Sequence, residues 1–165
     1  MAGAEDPFSP LLADHARLLE RLKTFEGILE EMVRSRRVSP EGRVSLDESL
    51  HALRDGLLPH FRLEEEVVLP PLEAAVGRFG TLVNVIAYEH DEVRREIEKL
   101  REARAALDAS TDVGPAIEEF NRHGVFTIQF LWDHFRKERT SLFPTAVQRL
   151  SPSQLEAIRS RLGGR

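Results

Sequence analysis

The sequence predicts an all-α protein, an antiparallel up-down four-helix bundle with a short fifth helix at its C-terminal end. Three observations carry that reading. Apolar residues recur at three-and-four spacing along almost the whole chain. A serine followed by a proline, which suits a capping residue and the first helical position, occurs at Ser9-Pro10, Ser39-Pro40 and Ser151-Pro152. No stretch shows the strict alternation of a half-buried strand.

The first helix starts at Ser9-Pro10 and carries Leu11, Leu18, Leu22, Phe25 and Leu29 on one face to about Arg36. The second starts at Ser39-Pro40 and runs through Leu46, Leu53, Leu57 and Val68, with Pro59 as an expected kink and Pro70-Pro71 as its expected stop. Gly77 and Gly80 break the chain, after which Val83, Ile86, Val93, Ile97 and Leu100 mark a third helix, ended by the loop Asp108 to Gly114. A fourth begins near Pro115 and runs through Phe120, Thr127, Leu131 and Leu142. Four long helices with short connections form an antiparallel bundle over about residues 10–148. Pro152 to Leu162, closed by Gly163-Gly164, is the short fifth helix and is expected to pack as a lid or tail.

Composition narrows the function. The 165 residues fit one domain, since a domain usually takes about 100–200. A 41% hydrophobic and 31% charged chain has ordinary globular usage and should fold. Without cysteine there is no disulfide, thiolate ligand or cysteine nucleophile, so any metal must be held by nitrogen and oxygen. The net charge of −5 argues against a nucleic-acid partner. No apolar run is long enough to cross a membrane, and the N-terminus lacks the pattern of a secretory leader. A soluble, cytoplasmic protein is expected.

The chain also repeats itself. HFRLEEEVVLP around His60 matches HFRKERTSLFP around His134 at equal offsets. A shift of 75 residues places Asp14-His15 on Glu89-His90. The sequence therefore reads as two similar helical hairpins, each with one His on its first helix and a His-x-x-x-Glu on its second. Approximate two-fold symmetry would bring both sets to one shared, dinuclear centre.

Positions i and i+4 of a helix differ by about 40° in direction and about 6 Å along the axis. His60 and Glu64 therefore aim at one point, as do His134 and Glu138. All lie on apolar stripes with His15 and His90, so the core would hold four imidazoles and two carboxylates. An unpaired buried polar group costs on the order of 2–7 kcal/mol, and an isolated charge far more. A divalent metal resolves this, because it neutralises carboxylates and accepts imidazole lone pairs. Taken singly each His would be a hydrogen-bonded core residue; the repeated set points to metal. Two bridging carboxylates, one bridging oxygen and four imidazoles leave about two of roughly twelve octahedral positions open for a diatomic or peroxide. Ferritin-like di-iron bundles use four carboxylates and two His. The reversed balance here favours the ferrous state and ligand binding over storage of ferric mineral.

The remaining candidates are assigned to structure. His51 falls on the opposite face of the second helix, and His123 lies about 16 Å along the fourth helix from His134, too far to share its ligation. Glu65 and Glu66 are expected to be solvated, although Glu65 adjoins the ligand face. Tyr88 and Trp132 are read as packing between helices, and the run Arg94, Arg95, Lys99, Arg101, Arg104 as a solvated face. Asp14 and Glu89 are expected to contact ligands on neighbouring helices.

With these residues identified, the sequence resembles the hemerythrin-like, or HHE cation-binding, domain. The carriers are Asp14-His15, His60-Phe-Arg-Leu-Glu64, Glu89-His90 and His134-Phe-Arg-Lys-Glu138, and the resemblance spans about residues 10–148. It implies a non-haem centre of two iron ions with an oxo or hydroxo bridge. His15, His60, His90 and His134 would be terminal ligands and Glu64 and Glu138 bridging ones. Oxygen-carrying hemerythrins have a second His one turn before the third-helix ligand, where Ile86 stands here. The resemblance is therefore to the four-His, two-carboxylate branch, in which iron sensing, nitric oxide or peroxide chemistry and iron–sulfur repair occur. Repair members usually add a cysteine-bearing module, and this chain has no cysteine. The expected function is binding of O2, NO or peroxide, as a redox-active binding protein, sensor or weak peroxidase with an unidentified redox partner. The alternative is an iron-sensing, storage or structural metal-binding bundle without turnover.

Overall fold

The computed structural model describes residues 5–164. Seven α-helical segments follow one another: α1 (Ser9–Ser35), α2 (Pro40–Leu63), α3 (Leu69–Val76), α4 (Leu82–Ala109), α5 (Val113–Lys137), α6 (Phe143–Arg149) and α7 (Pro152–Gly163). A π-helical turn, Glu64–Val68, joins α2 to α3, and a second, Glu138–Leu142, joins α5 to α6. The bundle thus consists of four continuous rods, with α7 added at the end and no strand among the described residues. Pairing of α1 with α2, α4 with α5, and α1 with α5 builds it. Short connections make sequential rods antiparallel.

Ser39 and Ser151 cap their helices as expected, accepting from the amides of Gly42 and Gln154. Ser151 and Gln154 complete a reciprocal capping box. Ser9 does not cap. It is the first residue of α1, and Asp6 takes up the exposed amide of Phe8 instead.

Pro70-Pro71, against expectation, do not stop the second rod. Leu69 N–H bonds back to Glu64 O, five residues away, so the wide turn ends there and a fresh α-segment begins. Prolines without N–H are tolerated in that first turn. The carbonyl of Glu66, four residues before Pro70, instead accepts from Arg161 of α7 at 3.4 Å. The repeat carries the same device: Phe143 N–H bonds to Glu138 O, and Pro144 follows. The fourth rod accordingly continues past Leu142 to Arg149.

The core has two apolar bodies. One holds Leu18, Leu22, Phe25, Phe61, Val93, Phe120 and Leu131, and the other Leu11, Val67, Val68, Ile86, Leu142, Phe143 and Ile158. Leu11 and Leu18 flank His15, and Ile86 and Val93 flank His90, so the polar residues form a layer between two dry ones. The N-terminal Phe8 stacks on Phe143 with ring centroids 4.6 Å apart, which closes the second body from below. Ile158 and Leu162 bury the inner face of α7 against it. Each such side chain contributes about 1.5–3 kcal/mol on burial.

Candidate metal centre

Each rod supplies one imidazole to the polar layer: His15 from α1, His60 from α2, His90 from α4 and His134 from α5. Glu64 and Glu138 are the first residues of the two π turns. His60 Nε2 stands 3.1 Å from Glu64 Oε1, His90 Nε2 3.1 Å from Glu64 Oε2, and His134 Nε2 2.7 Å from Glu138 Oε1. His15 Nε2 lies 3.0 Å from His60 Nε2 and 3.8 Å from an oxygen of each carboxylate. All six side chains are buried.

Their polar atoms converge without satisfying one another. Both oxygens of Glu64, both of Glu138, and the Nε2 atoms of His90 and His134 make no hydrogen bond. Six orphaned atoms in a dry layer are a heavy cost, since buried polar groups are nearly always paired. Close but misaligned donors aimed at a common volume fit a cation. Two overlapping groups could each hold one ion, His15, His60, Glu64 and Glu138, and Glu64, His90, His134 and Glu138, so both carboxylates belong to both.

The outward nitrogens of three imidazoles face carboxylates. Asp14 Oδ2 lies 3.1 Å from His60 Nδ1, Glu65 Oε1 2.9 Å from His90 Nδ1, and Glu89 Oε2 2.7 Å from His134 Nδ1. A carboxylate accepting at Nδ1 keeps the proton there and leaves the Nε2 lone pair turned inward. The expected roles of Asp14 and Glu89 match this geometry. Lys137 in turn holds Glu89, and Arg94 holds Glu65.

Electrostatics in the metal-free layer follow from these partners. Burial pushes the His60 imidazolium down, but the charge of Glu64 and the bond to Asp14 outweigh it and raise its pKa to about 10. Burial raises Glu65, yet its bonds from His90 and Arg94 win and bring it to about 2. Glu138 is pushed well up, first by burial and then by the neighbouring charge of Glu64. Two carboxylates this close share one negative charge more easily than they carry two.

Other assignments divide. His51 is exposed beside Asp55, and His123 sits between Glu96 and Glu119 at 3.2 and 3.0 Å, away from the centre as expected. Glu66 is exposed. Glu65, expected to be solvated, is instead a half-buried partner of His90. The wide turn explains this, because with more residues per turn each residue rotates less and Glu65 stays near the face of Glu64. Repeat matching could not find it, since its counterpart 74 residues on is Arg139. Tyr88 and Trp132 are exposed rather than packed between helices. Two residues before His90 or His134 is about 200° around the helix, on the solvent side. Arg94 and Arg104 are also not merely solvated, as Arg104 binds Asp47 at 2.6 Å and ties α4 to α2.

Among the described residues no helix is long and apolar enough to cross a membrane. Comparison with curated proteins gives no match. The hemerythrin HHE cation binding domain matches residues 6–146. Since that span contains all six residues of the buried His/Glu layer, sequence and architecture agree, and the chain belongs to the hemerythrin HHE cation-binding family.

Proposed function

We propose that this protein is a non-haem di-iron protein that binds O2, NO or peroxide. His15 and His60 would hold one ion, His90 and His134 the other, and Glu64 and Glu138 would serve both. The observation that carries this reading is the sharing of both carboxylates by two overlapping ligand groups. Four neutral nitrogens and two carboxylates without thiolate suit iron. Bound iron would supply reversible redox chemistry and open positions for a small ligand.

The chain's own part is to prepare the centre. Asp14, Glu65 and Glu89 hold protons at Nδ1 and orient three imidazoles. The two apolar bodies exclude water above and below, which strengthens every charge interaction in the layer. The π turns set Glu64 and Glu138 at mid-rod, where neither can swing away.

The test is metal content per chain after expression with iron, with absorption spectra of the reduced protein before and after air, NO or peroxide. About two irons and a charge-transfer band that bleaches on reduction are expected. Zinc alone, or no metal, would leave a structural bundle and end this reading.

A further inference from the structure

The internal repeat acts as a built-in control. His15 and His90 are counterparts, and each stacks on the counterpart phenylalanine: Phe135 for His15, with centroids 4.4 Å apart, and Phe61 for His90, at 4.1 Å. The stacking partner is therefore the same in both halves, although His15 also has Phe143 at 5.9 Å where the repeat has Leu69. The polar support differs. His90 has Glu65 on Nδ1, and Arg94 bonds that carboxylate at 2.9 Å. The same places around His15 hold Arg139, 74 residues after Glu65, and Leu19, 75 before Arg94. Among the described residues no carboxylate reaches His15 Nδ1. Arg139, which makes no ion pair there, lines a groove of about 510 Å³ with His15, Trp132, Phe135 and Arg136. His15 is 5% exposed at the floor of that groove, whereas His90 is fully covered.

We infer that the centre is built with unequal halves: the Glu65-supported half at His90 and His134 takes its ion first and holds it, while the half at His15 and His60, with Arg139 in place of a carboxylate, binds more weakly and exchanges through the groove. This rests on the dinuclear reading above. A carboxylate on the outer nitrogen raises imidazole basicity and fixes its orientation. Loss of such a partner commonly lowers metal affinity about 10–100-fold. One half has two carboxylate-supported imidazoles, His90 and His134, and the other has only His60. Glu65 is a positioning residue, and Arg139 marks the place where its counterpart is missing.

Anaerobic titration of the metal-free protein with Co2+ tests this, because its visible bands and hyperfine-shifted imidazole N–H signals report each half separately. Two steps separated by about tenfold or more are expected, with three slowly exchanging N–H signals in the filled protein and a fast one from His15. Arg139→Glu should tighten the second step and slow the fourth N–H signal. Arg136→Glu, an equal charge change in the same groove at the counterpart of Arg62 rather than of Glu65, should do neither. Glu65→Gln should weaken the first step by about tenfold or more. Two equal steps in the unaltered protein, or an Arg139→Glu variant whose second step is unmoved, would overturn the inference and leave the dinuclear reading intact. Failure to take up a second ion at any Co2+ concentration would overturn both.

Discussion

Glu89 Oε2 lies 2.7 Å from Nδ1 of His134, reaching across from α4 to α5. Asp14 repeats the contact from α1 to His60 on α2 at 3.1 Å. Each hairpin thus ties its second-helix imidazole with the residue just before its first-helix imidazole. Glu89→Gln keeps the shape and removes the charge, so metal affinity should fall about 10–100-fold. Competition with a chelator measures it. An unchanged affinity would mean that Glu89 serves Lys137 rather than the centre.

The buried His/Glu pairs should cost the metal-free fold stability. Replacing His60 and His134 by Leu together with Glu64 and Glu138 by Met removes both i,i+4 pairs whole and puts apolar volume between two dry bodies. Replacing an entire buried ion pair by packed apolar residues is often neutral to stabilising by about 1–4 kcal/mol, whereas removing one partner alone strands the other. The quadruple variant should bind no metal and, metal-free, resist urea better than the unaltered metal-free protein. A loss of stability would show that the layer is held by its own pairs without any cation.

The pH dependence should take opposite signs with and without metal. In the metal-free fold the His60 imidazolium is raised from 6.5 to about 10, chiefly because Glu64 and Asp14 outweigh burial. A raised pKa gives stability that is complete below about 6.5 and is lost as the pH climbs through about 10. The melting temperature of the metal-free protein should therefore fall between about pH 7 and about pH 10. Metal binding needs the neutral imidazole, so uptake should release protons and strengthen over the same window. Calorimetry in two buffers of different ionisation enthalpy reads the proton release, and a buffer-independent heat would contradict it.

Two glycines should respond oppositely to alanine. A Cβ on Gly124 of α5 would stand 2.6 Å from Leu29 Cδ1 and 3.3 Å from Phe25 Cζ, both buried in the larger apolar body. Gly27 of α1 has nothing within 4 Å. Gly27→Ala should gain up to about 1 kcal/mol of helix propensity. Gly124→Ala should lose about 1 kcal/mol or more, because overpacking exceeds that gain. Equal shifts in urea midpoint would mean that α1 and α5 are not in close contact at Gly124.

The helices were legible because three-and-four spacing is a direct consequence of burying one face of a rod. The six converging residues were legible because they occur twice at matched offsets. Two of the features that escaped the sequence share one cause, the π turns. Pro70-Pro71 read as a stop because proline ends an ordinary helix, and only the Leu69 to Glu64 bond shows why it can begin a new segment instead. Glu65 read as solvated because ordinary helical rotation turns it away from the face of His60 and Glu64. Arg104 was hidden for another reason: its partner Asp47 is 57 residues away, and helical charge patterns report only near neighbours.

The two π turns place Glu64 and Glu138 in mid-span, with helix continuing on both sides to Val76 and to Arg149. A carboxylate at the free end of a helix can move with that end; one clamped from both directions must keep its station. The scaffold is therefore suited to changing charge or cargo with little change of outline. The clasp between that scaffold's first π turn and the tail is the bond from Arg161 of α7 to the Glu66 carbonyl, so a displacement of the turn would be felt first by α7.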